Sequence, residues 1–269
     1  MTASRDDVAE ELARYLQSIG LHEPWSDNKR GSTRWAYAED GELYSADRLA
    51  YHAQLIEAEL AKQAKVSKRG SLGVVVTAGP PGSGKSTALA AAPDLATYRD
   101  VDADAFKDSL LVREQEAGNL DAFLDHCLKD GRPVAVRELS GYVHAESTTI
   151  ASSMRDQCLA AGENIVVHGT LSSLEYTDEL LTQLDQFDYS RLVIFDVETS
   201  QEQAIDQALG RWWSGRSTNE DGLGGRFIAP EYIRRQYSNG GALSNCAANA
   251  ALLRDRAVDL GWSVELRTL

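Results

Sequence analysis

The most informative segment for chemistry is a glycine-rich loop that joins a predicted strand to a predicted helix. The apolar residues 72–78 run directly into GPPGSGKST at 79–87, which fits the phosphate-loop pattern GxxxxGK[ST]. Glycines let successive backbone N–H groups turn inward around phosphates, while Lys85 would reach the β- and γ-phosphates and Ser86 would hold Mg²⁺. The segment predicts a nucleoside triphosphate site formed by Gly79, Gly82, Ser83, Gly84, Lys85, Ser86 and Thr87.

Two aspartates follow the phosphate-loop helix in the segment YRDVDADAFK at 98–107. We expect this segment to form the end of the next strand, and open α/β sheets bind ligands at the carboxyl ends of their strands. In a strand, Asp102 and Asp104 would share a face. One carboxylate would then accept the proton of a substrate hydroxyl that attacks the γ-phosphate. The other would assist the metal through water or cap the following helix, and a capping role for both stays open.

Arginines flank a polar, glycine-rich segment late in the chain. Residues 215–225 lie between two predicted helices, a pattern typical of a mobile lid. Arg211, Arg216 and Arg226 belong to this region, and arginines on a closing lid neutralise charge on a transferring phosphoryl group. An acid at a strand end together with an arginine lid favours a small-molecule phosphotransferase.

Composition restricts the class of partner. The chain has 269 residues, 41 acidic against 27 basic, and a formal net charge of −14. Such a surface would repel the phosphates of nucleic acid, so we expect no nucleic-acid partner. No stretch approaches the ~20 apolar residues of a membrane span, and the charged N-terminus does not resemble a signal peptide. We expect a soluble cytoplasmic protein, and its three cysteines fit a reducing compartment.

The elements that must position these residues form an α/β pattern. From residue 71 short apolar strands alternate with helices, which predicts a mainly parallel sheet covered on both faces. The expected fold is a P-loop kinase-like three-layer α/β/α domain over 71–269, with the arginine-rich lid around 211–229, after a helical N-terminal extension over 1–70. Expected strands are 72–78, 164–168, 191–197 and 263–266. Expected helices are 4–19, 45–66, 85–92, 119–129, 145–161, 172–185, 200–213 and 230–239.

Five segments in the same order resemble the zeta toxin family, the kinase component of epsilon–zeta toxin–antitoxin systems. The resemblance spans roughly residues 40–269. The segments are GPPGSGKST at 79–87, VDADAFK at 101–107, HAES at 144–147, VVHGT at 166–170 and the arginines around 211–226.

This resemblance implies a kinase that uses ATP and Mg²⁺ to phosphorylate the 3′-hydroxyl of the amino sugar in UDP-N-acetylglucosamine. Such a toxin blocks cell-wall precursor synthesis and is restrained by an antitoxin protein. The resemblance places the catalytic base at Asp104, the phosphate-binding lysine at Lys85 and the transition-state arginines at Arg211 and Arg226. Arg216 is expected to contact the nucleotide or to take the place of either arginine. The expected substrate-binding residues are Asp102, His144, Glu146 and Thr170.

Two other functions stay open. Many zeta toxins carry glutamate where this chain has His168, so the acceptor can be another compound, such as an antibiotic, a dinucleotide or a small metabolite. A nucleotide-hydrolysing switch is the third possibility, because LVIFDVE at 192–198 resembles a Walker B strand with Asp196 on the metal and Glu198 polarising water. We interpret that segment as an ordinary buried strand that ends in polar residues.

Overall fold

The computed structural model describes six stretches of the chain: residues 3–22, 31–39, 43–63, 72–92, 95–237 and 243–269. The described residues group into two compact units. The helical unit lies within 1–57, 103–150 and 207–232, and the sheet unit lies within 58–102, 151–206 and 233–269. The grouping does not follow the boundary expected at residue 70, because residues far along the chain join the N-terminal helices in one unit.

The described elements alternate as the sequence predicts. The helices are α1 (Arg5–Ser18), α2 (Thr33–Tyr37), α3 (Ala46–Lys62), α4 (Lys85–Ala90), α5 (Asp104–Glu116), α6 (Asp121–Leu124), α7 (Ser140–Ala160), α8 (Leu174–Gln186), α9 (Gln201–Thr218), α10 (Pro230–Arg234) and α11 (Asn245–Asp259), with a 3₁₀ turn at Val136–Leu139. The strands are β1 (Ala38–Glu39), β2 (Leu43–Tyr44), β3 (Gly73–Ala78), β4 (Arg99–Val101), β5 (Ile165–Val167), β6 (Arg191–Asp196) and β7 (Ser263–Thr268).

The sheet unit is built on a five-stranded sheet in the order β4-β5-β3-β6-β7. Every neighbouring pair in it is parallel, which confirms the predicted sheet. The central strand β3 lies between β5 and β6, with Val75 opposite Val166 on one side and Val193 on the other. Because the strands are parallel, their carboxyl ends lie along one edge, where ligand sites of open α/β sheets form.

Helices cover both faces of this sheet, as the predicted three-layer architecture requires. All six residues of β3 are buried, although successive strand residues point to opposite faces. On one face, Ala88 and Leu89 of α4 pack against the core that contains Val75 and Phe195. Helix α11 contacts β7, β6, β3 and α8.

Helices α1 and α3 begin within one residue of the positions that the sequence predicts. Ser4 caps α1 in a capping box with Asp7, and the buried Val8, Leu12 and Leu16 line one face of that helix. The Ser45 hydroxyl accepts a hydrogen bond from the Arg48 N–H at the start of α3. The last residues expected in that helix lie outside the described part of the chain.

Helix α5 is the main departure from the predicted elements. Strand β4 ends at Val101, and Asp104 is the first residue of α5, whose Phe106, Leu110 and Leu111 are buried. The expectation that Asp102 and Asp104 share a strand face is therefore wrong. Two smaller corrections concern α6, which has four residues where 119–129 was expected, and α9, which continues to Thr218. None of the described helices has the length and apolar character that a membrane span requires.

Candidate active site

The phosphate loop of the sheet unit is shaped by glycines that touch neighbouring backbone. Gly79 and Gly82 have φ values of +130° and +89°, in the region that side chains rarely adopt. A Cβ atom on Gly79 would collide with the Val197 carbonyl, and one on Gly82 would collide with the Ala204 carbonyl. The Gly79 N–H donates to the Thr170 carbonyl at 3.1 Å. Only glycine fits at these two positions, so the loop holds the form that wraps its N–H groups around an anion.

Lys85 begins α4 and lies against this loop. Its Nζ donates to the Gly79 carbonyl at 2.7 Å and to the Pro80 carbonyl at 2.8 Å. Ser86 and Thr87 follow in the first turn of α4 and are exposed. Within the described residues no group of three or more His, Cys, Asp or Glu side chains is arranged to hold a metal.

Other predicted residues follow β4 and β5 at the same edge of the sheet. Asp102 lies just beyond the end of β4 and is half-buried. The Thr170 carbonyl accepts a hydrogen bond from the Gly79 N–H, and the Thr170 hydroxyl donates to the Ser172 hydroxyl at 2.9 Å. His168 Nε2 lies 2.9 Å from Asp100 Oδ1, so a carboxylate from β4 accompanies this histidine.

The segment that resembles a Walker B strand is β6, and its two acids have different surroundings. Asp196 is 6% exposed and lies opposite Ala78 of β3. Burial, followed by the nearby Glu198, raises the pKa of Asp196 to about 6. The Glu198 carboxylate accepts from the Ser244 N–H at 2.9 Å and hydroxyl at 2.6 Å. Glu198 thus holds the residue that caps α11, which fits the interpretation of an ordinary strand end.

Asp104 and Arg226 meet in the helical unit. Arg226 Nη1 lies 2.8 Å from Asp104 Oδ2, and Lys107 Nζ lies 2.7 Å from Asp104 Oδ1. Lys107 is buried, whereas the Asp104 side chain is 46% exposed. Burial alone would raise the pKa of Asp104, but the charges of Lys107 and Arg226 lower it well below its usual range. The carboxylate is therefore ionised at neutral pH and accessible to a ligand.

His144 on α7 interacts electrostatically with Asp104 and Lys107. Burial, and then the charge of Lys107, lowers the pKa of His144 to about 3, although Asp104 opposes this shift. The imidazole is thus neutral at physiological pH. It interacts with the predicted base, and its contact with a substrate stays a prediction.

Two residues that the sequence did not single out complete this arrangement. Asp108 Oδ1 lies 3.1 Å from Arg226 Nη2, and Asp108 Oδ2 lies 2.8 Å from Arg137 Nη2. Asp108 is four residues after Asp104 on α5, so both side chains lie on one face of the helix. This spacing is the sequence feature that could have identified Asp108 as a neighbour of the predicted base. We call the connected side chains the charge network: Lys107, Asp104, Arg226, Asp108, Arg137 and Asp221.

The segment expected to be a mobile lid is packed closely in the helical unit. Residues 215–218 belong to α9, so the loop begins only at residue 219. A Cβ atom on Gly225 would collide with the Trp212 carbonyl, and one on Gly215 would lie 2.7 Å from the Gly225 Cα. Glycines at these positions allow the loop to lie directly on α9. The loop therefore presents Arg226 from a packed position.

The remaining two lid arginines have different environments. Arg216 is 3% exposed and pairs with Asp130 at 2.8 Å and with Glu138 at 2.9 Å. The Trp212 indole N–H donates to Glu138 at 2.7 Å. Arg216 thus stabilises the packing of this unit, and its expected nucleotide contact is not favoured by that burial. Arg211 is exposed on α9.

Glu146 lies in a second buried ionic cluster of the helical unit, fully removed from solvent. Arg48 Nε lies 2.5 Å from Glu146 Oε1, and its Nη2 lies 2.9 Å from Oε2. His52 Nε2 lies 2.6 Å from the same carboxylate, and Arg48 also pairs with the buried Glu114 at 3.0 Å. These partners hold Glu146 in the core, so its expected contact with substrate is not favoured either. They also join the N-terminal helix α3 to α5 and α7.

The order of the sheet, the phosphate loop and the charge network define a P-loop kinase-like α/β protein. A family model described as zeta toxin matches residues 124–259, which is 136 of the 269 residues. The chain therefore belongs to the zeta toxin family. The matched segment contains His144, Thr170 and Arg226, whereas Lys85 and Asp104 precede it.

Several solved structures share this fold, one of them from a toxin–antitoxin system. A structure from the PezAT chromosomal toxin–antitoxin system of Streptococcus pneumoniae superimposes with a TM-score of 0.54 at 14% identity, covering 84% of this chain and 78% of that one. The AvrRxo1-ORF1:AvrRxo1-ORF2 complex with ATP gives 0.55 at 17% identity, covering 89% and 73%. The native form of that complex gives 0.52 at 17% identity, covering 84% of this chain but only 64% of the other. No curated protein matches the chain in sequence.

Removing the Arg48 guanidinium should destabilise the protein strongly. In Arg48→Met two buried carboxylates, Glu114 and Glu146, lose their arginine partner, and breaking a buried ion pair in this way costs about 3–5 kcal/mol. Urea denaturation followed by circular dichroism measures the free energy of unfolding. The matched control is Arg254→Met, which removes an exposed arginine beside Asp255 and should change that free energy by less than about 1 kcal/mol. Equal effects of the two substitutions would contradict the role given to Arg48.

Proposed function

We propose that this protein is an ATP- and Mg²⁺-dependent kinase that phosphorylates the sugar of UDP-N-acetylglucosamine at its 3′-hydroxyl. It acts in the cytoplasm as a toxin and is restrained by an antitoxin protein. The observation that carries the proposal is an accessible, ionised carboxylate, Asp104, paired with Arg226 in a chain that also contains a complete phosphate loop. Membership of the zeta toxin family supports the acceptor and the toxin role.

The phosphate loop supplies the nucleotide-binding part of this function. Its backbone N–H groups would hold the phosphates of ATP, and Lys85 would exchange the Gly79 and Pro80 carbonyls for phosphate oxygens. Ser86 would hold Mg²⁺ through its hydroxyl. When bound, Mg²⁺ neutralises charge that develops on the β- and γ-phosphate oxygens. The AvrRxo1 complex solved with ATP supports the choice of nucleotide.

Asp104 would act as the general base. As the acceptor oxygen bonds to the γ-phosphorus and the bond to the β–γ bridging oxygen breaks, Asp104 takes the proton of the attacking hydroxyl. A carboxylate with a lowered pKa is a weak base, but phosphoryl transfer through a loose transition state needs little proton removal before the bond is broken. Arg226 would stabilise the negative charge on the transferring group. Its buried Nε has no hydrogen-bond partner among the described residues, which leaves a donor for an anion.

Substitution of the base tests the reaction class. Asp104→Asn keeps the shape of the side chain but cannot accept a proton, so transfer of phosphate from ATP should fall by about 10²–10⁴-fold. The rate is measured with γ-labelled ATP, and Asp255→Asn serves as a control in an exposed ion pair. If Asp104→Asn transfers the γ-phosphate at the wild-type rate, Asp104 is not the base and the proposed mechanism fails. If wild type and variant release inorganic phosphate equally and phosphorylate no acceptor, the protein is a nucleotide-hydrolysing switch.

A mass measurement tests the acceptor. Incubation of the purified protein with ATP, Mg²⁺ and UDP-N-acetylglucosamine should add the mass of one phosphate to the sugar nucleotide and form an equal amount of ADP. Fragmentation of the product should place that phosphate on the amino sugar. ADP formed only with a different acceptor, such as a dinucleotide or an aminoglycoside, would show that the same kinase acts on another compound.

Growth experiments test the toxin role. Expression of the wild-type chain should arrest bacterial growth, because the phosphorylated precursor cannot be used for cell-wall synthesis. Lys85→Ala removes the phosphate-binding ammonium and should abolish this arrest while the protein accumulates to the same level. Co-expression of the neighbouring open reading frame should restore growth if it encodes the antitoxin. Equal toxicity of wild type and Lys85→Ala would refute a toxin that works by phosphoryl transfer.

A further inference from the structure

The charge network continues from the proposed base into the loop that carries Arg226. Asp104 and Asp108 are four residues apart on α5, where two like charges on one helix face repel each other. The Arg226 guanidinium lies between them, with its Nη1 2.8 Å from Asp104 and its Nη2 3.1 Å from Asp108. Asp104 already has a second cation in Lys107. Asp108 is therefore the carboxylate that fixes the far side of Arg226.

Asp108 is itself fixed by Arg137. The Arg137 Nε lies 3.1 Å from both Asp108 oxygens, and its Nη2 lies 2.8 Å from Oδ2. Such a fork of donors restricts the direction of a carboxylate more than a single contact does. Hydrogen bonding to Arg137 and the charge of Arg226 lower the pKa of Asp108 against the effect of its burial, which would raise it. Asp108 therefore remains a charged partner for Arg226 at neutral pH.

Arg137 also holds the loop from which Arg226 projects. Its Nη1 donates to the Gly224 carbonyl at 3.0 Å, and its backbone N–H donates to the Leu223 carbonyl at 2.9 Å. The Asp221 carboxylate pairs with the same guanidinium at 2.6 Å. Arg137 thus connects α5 with three residues just before Arg226. Arg137 therefore holds the backbone that precedes Arg226, and Asp108 holds the Arg226 side chain.

We propose that Asp108 is a positioning residue that holds the Arg226 guanidinium at Asp104, and that Arg137 anchors both Asp108 and the loop bearing Arg226. This inference rests on the proposed function, in which Arg226 stabilises the transferring phosphoryl group. Pre-positioning of that group avoids the cost of organising it during the reaction. A small displacement of Arg226 would then lower the rate of transfer more than the binding of ATP.

Asp108 is less suited than Asp104 to be the base itself. Both of its oxygens accept from Arg137, and one also pairs with Arg226. A proton acceptor needs an oxygen that can meet the substrate hydroxyl. The alternative for Asp108 is a purely structural contact that stabilises the loop without effect on Arg226 in the transition state. A double-mutant cycle separates these two roles.

The test measures phosphate transfer by wild type, Asp108→Asn, Arg226→Gln and the double variant, with melting temperatures for each. Asp108→Asn should lower kcat by about 10–100-fold, as displacement of a catalytic group does, while the KM for ATP changes less than twofold. In the Arg226→Gln background the same substitution should lower kcat by less than twofold. An equal loss in both backgrounds, or an unchanged kcat in the single variant, would overturn the proposal. Asp255→Asn is the control for removing a carboxylate from an ion pair.

A second measurement does not depend on the acceptor. Amide hydrogen exchange of residues 219–227 should accelerate in Asp108→Asn and more strongly in Arg137→Lys, which keeps the charge but loses the fork of donors. Unchanged exchange in both variants would overturn the anchoring role. If wild type transfers no phosphate to any acceptor, the proposed function fails by that result alone, and the exchange data still decide whether Asp108 and Arg137 hold the loop.

Discussion

A buried charged side chain is costly unless an opposite charge lies beside it, and the ion pairs of the helical unit follow from this constraint. Arg48 lies between the buried Glu114 and Glu146, and Arg216 lies between Asp130, whose side chain is 9% exposed, and the buried Glu138. The same rule gives the buried Lys107 its partner Asp104. The first two clusters are almost fully removed from solvent, whereas the third reaches solvent through Asp104, whose side chain is 46% exposed. That difference separates charges that stabilise the fold from charges that can meet a ligand.

Exposure also explains how far the candidate site could be predicted. The phosphate loop could be predicted from the sequence because its function depends on backbone conformation. The glycines and the adjoining strand specify that conformation locally. The roles of Arg216 and Glu146 could not be predicted from the sequence. Both match family positions by residue type, but their exposed fractions are 3% and 0%. Whether an arginine faces a ligand or a buried carboxylate depends on residues such as Asp130 and Arg48 that are distant in sequence. Residue type and spacing alone do not contain that information.

The fold shows the same division between local and distant information. The parallel sheet followed from short apolar strands that alternate with helices. Helix α5 was missed because β4 has only three residues, and the acids after it resemble a polar strand end. The glycines at 215–225 indicated mobility, yet Gly215 and Gly225 serve the close packing of a loop on a helix. Glycine is compatible with a mobile loop and with close packing on a helix. Here the contact with the Trp212 backbone shows close packing.

The low pKa of Asp104 links the static arrangement to the chemistry proposed for it. With Arg226 and Lys107 both beside it, this carboxylate is held ionised and is a poor proton acceptor. With Arg226 held in place by Asp108, the negative charge of a transferring phosphoryl group beside its guanidinium would offset part of the positive field that lowers this pKa. The basicity of Asp104 would then rise at the stage when the attacking hydroxyl loses its proton. An arginine shared between base and phosphate in this way would couple charge stabilisation to proton transfer.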